Sequence, residues 1–278
     1  MAALLALISS LSWGVADFFG GLASRRAGPV QVLAVAYPAG AVLLTFIALF
    51  IIPGNLTWSV LPYALVAGTI GALAIGLLYA ALTRGPMGVV SPITAVMSGA
   101  VPVAAGLLRG ESLDTLAIVG IVLAVAAVVL VSRESGHAHE RTPVSALVLA
   151  IASGTAIGLY LTAIGLAPQD SGVWVATIGR WVSTIAMLLT LLIVVRTFTR
   201  STFPWLLAIV SGALDASANG IFQLATQRGL LAIVAVIGSL YPAATVMLAR
   251  IFLHERLNRL QIIGVIAALA AAASLALA

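Results

Sequence analysis

The sequence predicts an all-α integral membrane protein, with ten transmembrane helices arranged as two inverted five-helix repeats. Three observations predict it. Hydrophobic residues make up 62% of the 278 residues and charged residues only 8%, against roughly one half and one quarter in soluble domains. So little polar surface cannot cover a soluble core. The apolar residues fall in runs of roughly 20 between short polar breaks, the length a helix needs to cross a bilayer. Finally, the stretch from Leu78 to Val131 recurs 144 positions later without a gap. Arg84-Gly85 falls on Arg228-Gly229, Glu111 on Glu255, Asp114 on Asn258 and Gly120 on Gly264. Upstream the same offset relates Ser9 to Ser153, Gly14 to Gly158 and Gly68 to Gly212.

In chain order, the first repeat (1–131) holds spans at about 2–23, 30–52, 60–82, 87–108 and 114–131. Arg25-Arg26 closes the first, Pro53-Gly54-Asn55 the second and Thr83-Arg84-Gly85-Pro86 the third. The polar segment 132–142, SRESGHAHERT, links the halves as a loop. The second repeat (143–278) holds spans at about 143–166, 173–195, 203–226, 230–253 and 258–278. Each span is expected to be helical, because an unpaired peptide group in hydrocarbon costs several kcal/mol and a helix pairs its own. Five is an odd number, so the second copy enters from the opposite side. Inverted pairs of this kind build secondary transporters around a midplane site.

Trp13-Gly14, the two Arg-Gly turns, Gly-Glu-Ser-Leu (Gly110 to Leu113) and His-Glu-Arg-Leu (His254 to Leu257) carry a family resemblance. The chain resembles the EamA-type branch of the drug/metabolite transporter superfamily over nearly its whole length. The resemblance implies ten helices, a central cavity between the halves, and export or exchange of small metabolites. It also implies cytosolic termini. The arginine count points the other way. The odd-numbered loops hold most arginines, Arg25, Arg26 and Arg84 among them, and positive charge stays cytoplasmic.

Ionisable residues inside a membrane are candidate functional groups by default. Asp17 follows Trp13 by four residues on one helix face, a proton or cation site beside an aromatic wall. Ser211, Asp215, Asn219 and Gln223 recur every fourth residue of the eighth span, a stripe expected to face the cavity. Arg180 can pair with Asp215 or bind a substrate carboxylate bidentately. Tyr241 is a further stacking wall. These seven — Trp13, Asp17, Arg180, Asp215, Asn219, Gln223 and Tyr241 — are the substrate-binding candidates. Ser91, Pro92 and Pro242 are candidate hinge or cavity-backbone positions, because proline frees helix carbonyls. Arg84, Gly85, Glu111, Arg228, Gly229 and Glu255 are read as structural members of the repeat, with each glutamate complementing the dipole of the helix that follows it. Gly106-Gly110 and Gly154-Gly158 are read as close-packing pairs.

Other functions find little footing. Cysteine is absent, so no disulfide, thiolate metal site or thiol nucleophile is expected. The three histidines lie in the linker or at a helix end, which supports neither a triad nor a metal centre. No phosphate loop is present, so neither ATP nor any other cofactor is expected. The net charge of +5 is carried by arginines at helix ends, which suits membrane anchoring and excludes nucleic acid. Met1 leads almost directly into an apolar run, so no cleavable leader is expected. The expected function is a secondary transporter, an exporter or exchanger in the cell membrane, working by alternating access. The rivals are a membrane-embedded enzyme and a lipid-carrier flippase. Partners are a small-molecule substrate and the lipid bilayer, with a homodimer left open.

Overall fold

The computed structural model describes residues 1–82, 84, 87–131, 143–194, 203–253 and 258–278. Eleven helices make up the described fold: α1 (Ala2–Ala27), α2 (Pro29–Phe50), α3 (Val60–Leu82), α4 (Met87–Leu108), α5 (Thr115–Val131), α6 (Val144–Gly165), α7 (Trp174–Val194), α8 (Trp205–Thr226), α9 (Leu231–Gly238), α10 (Tyr241–Leu253) and α11 (Arg259–Leu277). Among the described residues, seven helices are long and apolar enough to cross a membrane. The described apolar parts of α4, α5 and α9–α10 are shorter. Large apolar side chains such as Phe50, Leu192 and Ile266 stand exposed on the outer faces, an arrangement suited to lipid rather than water.

Local sequence explains where the helices start and stop. Gly28, at φ 78°, ends α1, and Pro29 opens α2, the glycine-after, proline-before asymmetry of helix ends. Asp114 caps α5, accepting from the Ala117 N–H at 2.7 Å. Its counterpart Asn258 caps α11 in a reciprocal capping box with Gln261. Arg84 and Arg228 each fold back on their own helix, donating to Ala80 O at 2.8 Å and Leu224 O at 2.9 Å. Both reach a carbonyl in the last turns of their own helix.

One expected span is corrected. The ninth, read as one helix over 230–253, breaks at Ser239–Leu240 into α9 and α10. Pro242 has no N–H to give the Gly238 carbonyl, and its ring crowds that carbonyl. The rings of Trp13 and Phe222 press on Gly238 from outside. The matching helix α4 runs unbroken through positions 92 and 102.

The repeat offset reappears in three dimensions. The Ser9 hydroxyl donates to Ala218 O at 2.8 Å and the Ser153 hydroxyl to Ala74 O at 3.0 Å. Gly120 lies against Leu275, and Gly264 against Val131. Gly14 meets Thr245, and Gly158 meets Val101. In each pair both residues shift by 144 positions. The α5–α11 contact is antiparallel, since 120 meets 275 while 131 meets 264. Glycine and alanine at these crossings let backbones approach, which is the main source of helix association when lipid is the solvent. Gly154 and Gly158 pack α6 on α4 as expected.

Gly110 does not. At φ 89° it is the left-handed residue that ends α4, with Gly110 N bonded to Leu107 O and Glu111 N to Gly106 O, both at 3.0 Å. That pattern is a Schellman motif. The bare Cα of Gly106 leaves room for the Glu111 carboxylate, which an added methyl would overlap.

Candidate functional site

A cavity of about 170 Å³ lies where the two halves meet, lined by residues of α1, α2, α3, α4, α6, α7, α8 and the α9–α10 break. It exceeds the roughly 10–15 Å³ a single water requires. Six of the seven candidate binding residues line it: Trp13, Asp17, Arg180, Asp215, Asn219 and Tyr241.

Arg180 on α7 is buried and forms an ion pair with Asp215 on α8. Its guanidinium lies over the Tyr37 ring of α2, 4.7 Å from the centroid, a cation–π contact that strengthens where water is excluded. The Tyr160 hydroxyl of α6 donates to Asn219 Oδ1 at 2.6 Å, and Asn219 Nδ2 donates to the Asp215 carbonyl at 2.7 Å. One continuous network therefore ties α2, α6, α7 and α8 together. Satisfied networks of this kind hold side chains in one arrangement.

The facing wall is built differently. Trp13 packs on Phe222 with ring centroids 5.6 Å apart. Asp17, one turn on, is exposed within the cavity and has no hydrogen-bond or ion-pair partner among the described residues. Tyr241 begins α10 beside them. Ser98 and Ser239 line the same space, each hydroxyl donating to a carbonyl of its own helix at 2.8 Å.

Gln223 is corrected. It lies outside the cavity and is fully buried, accepting from Ala176 N–H at 2.9 Å and donating to the Ser171 hydroxyl at 3.0 Å. The polar stripe on α8 divides because α8 has neighbours all around. Ser211 donates to Ala16 O of α1 at 2.8 Å, and only Asp215 and Asn219 reach the cavity. Glu111 is corrected as to partner. It does not serve α5, the helix after it. Its two carboxylate oxygens accept from Leu231 N–H at 2.8 Å and Ala232 N–H at 3.0 Å, capping α9 of the other half at its positive end. Nearby connections are also tied: Asn55 Nδ2 donates to Asp170 Oδ2 at 3.0 Å, and Trp174 Nε1 to Gly54 O at 3.2 Å. Gly229 packs against Ala2. Pro242 is the second residue of α10, just past the break. Gly85, Glu255 and the side chains of Ser91, Pro92 and Tyr79 lie outside the described residues.

Tyr37 and Ser183 belong to the site and were not among the candidates. Tyr37-Pro38 repeats the Tyr-Pro pair of Tyr241-Pro242, an uncharged signal by which Tyr37 could have been found.

The profile of the EamA-like transporter family matches residues 1–133 and again residues 144–277. The chain belongs to the EamA-like transporter family. It is thus a multi-pass membrane protein of a family of transporters. A solved structure titled "Crystal structure of protein" is similar to this EamA-like chain in fold, with 16% sequence identity and a TM-score of 0.80. The match covers 99% of this chain and 96% of that one. No curated protein matches the chain.

Proposed function

We propose that the chain is a secondary transporter of the cell membrane, an exporter or exchanger of small metabolites. It crosses the bilayer ten times as two inverted repeats, and the cavity between them opens to each side in turn. The observation that carries this reading is the placement of Asp17, Arg180 and Asp215 around one cavity between the halves of an otherwise apolar bundle. Charges at such depth are costly and are retained where they serve a pathway. The paired contacts at an offset of 144, and the antiparallel α5–α11 crossing, support the inverted arrangement. Repeats related in this way can rock against one another about a shared midplane site.

The test is flux in proteoliposomes loaded with radiolabelled amino acids and amines. Wild-type protein should move at least one class across the bilayer. Asp17→Asn and Asp215→Asn should reduce that flux while the purified variants still unfold cooperatively. A chemical turnover that persists in detergent, with no flux in liposomes, would instead make the chain an enzyme.

A further inference from the structure

A second, apolar crevice of about 240 Å³ lies between α4, α5 and α9, lined by residues such as Val96, Gly99, Val103, Ala124, Val128 and Val236. Among the described residues that line it Ser239 alone is polar, and Ser239 also lines the polar cavity. Ser239, at the α9–α10 break, thus stands between the two spaces. Gly99 lies against Ser239, since a Cβ there would lie 3.3 Å from Ser239 Oγ, so only a small side chain and a bare backbone part the two spaces at that point. On the outer side the lining residues Ala100, Ala104, Leu107 and Val125 are exposed, so the crevice opens on the face that lipid covers.

Among the described residues that line the polar cavity, one carboxyl group lacks an ionic partner. Arg180 is neutralised by Asp215. Asp17 has no partner among the described residues and stands beside the rings of Trp13 and Tyr241. A cation completes this wall through both the carboxylate and the aromatic faces. An anion would have to displace Asp215 from Arg180 and then face Asp17.

We propose that the substrate is an amphipathic amine, with its ammonium head at Asp17 and its apolar arm in the crevice between α4, α5 and α9. This deepens the transport reading and rests on it. An ammonium that keeps N–H donors can hydrogen-bond the Asp17 carboxylate. Hydrocarbon suits the crevice, whose lining offers almost no polar partner. The shared wall at Ser239 sets the crevice next to the cavity that holds the head, so the arm is assigned to the same molecule rather than to a separate lipid.

The test is calorimetric binding of methylammonium and straight-chain alkylammonium ions, propyl to hexyl, to the full chain in nanodiscs. Wild-type affinity should rise about three- to fourfold per added methylene as the arm is buried. Val103→Phe should flatten that rise and leave methylammonium affinity within about twofold, since the head site is untouched. Val128→Phe on the facing helix gives the same reading should the first variant fold poorly. Asp17→Asn should weaken methylammonium at least tenfold. An unchanged chain-length dependence in both crevice variants would mean that a bilayer acyl chain alone fills the crevice, and overturns the proposal. Methylammonium binding that is absent from the wild type, or unaffected by Asp17→Asn, overturns the ammonium head. The flux test above stands apart from either result.

Discussion

The cavity has two equivalent walls, and they differ. At the offset of 144, Trp13 corresponds to Ile157 and Asp17 to Leu161, while Gly71 corresponds to Asp215 and Ile75 to Asn219. All eight line the cavity. At every one of these four pairs one member is polar or aromatic and the other is apolar or bare. Packing positions behave the opposite way. Ser9 and Ser153, Arg84 and Arg228, Gly120 and Gly264 keep both their residue type and their contact. The difference teaches that the duplication is retained where helices must cross closely and has diverged where a ligand can be touched. In the proposed inverted arrangement a two-fold scaffold carries a one-sided cavity, which suits a substrate without internal symmetry.

The largest expected effect comes from removing the charge that holds one wall together. Arg180→Met leaves Asp215 unpaired and should cost about 3 kcal/mol, the low end for breaking a buried ion pair, because Asp215 is 31% exposed. Thermal unfolding in detergent measures this. Next, Asp17→Leu makes its wall resemble the opposite one at Leu161. Flux should fall at least tenfold, while stability holds or rises, because Asp17 has no hydrogen-bond or ion-pair partner to lose among the described residues. Equal loss from Leu161→Ala would break the contrast between the walls. Glu111→Ala removes two charge-assisted hydrogen bonds from the start of α9 and should cost about 2 kcal/mol. Gly106→Ala, which crowds the same carboxylate, should cost about 1 kcal/mol. The smallest pair is the most diagnostic of the scaffold. Ser9→Ala and Ser153→Ala should each cost about 1 kcal/mol and agree within about 0.5 kcal/mol. Markedly unequal costs would show that these packing positions are not equivalent.

The helical spans were legible because bilayer thickness sets a length that hydropathy reports directly. The break within the ninth span was only half legible. Hydropathy over 230–253 is continuous, and nothing in it records the hydrogen bond that Pro242 cannot make. Periodicity gave the polar face of α8, yet it treats a helix as having one inside, whereas α8 packs against α1, α2 and α7 and spends Ser211 and Gln223 on them. Glu111 was legible as a helix-capping carboxylate but not as a contact between halves, since its partners lie 120 and 121 residues away. Asp17 and Trp13 were found together because four residues of helix place two side chains on one face. Tyr37 escaped because a lone tyrosine in an apolar span carries no charge to mark it, and its use depends on Arg180 arriving from α7.

The central claim is that this cavity faces each side of the membrane in turn. The chain contains no cysteine, so Ile157→Cys places a single thiol on the apolar wall without touching the charged network. The protein is reconstituted in one orientation, and a membrane-impermeant maleimide is added to one face at a time. Alternating access predicts that the thiol is modified from either face. Modification from one face only, with the other face silent during active flux conditions, would contradict the account.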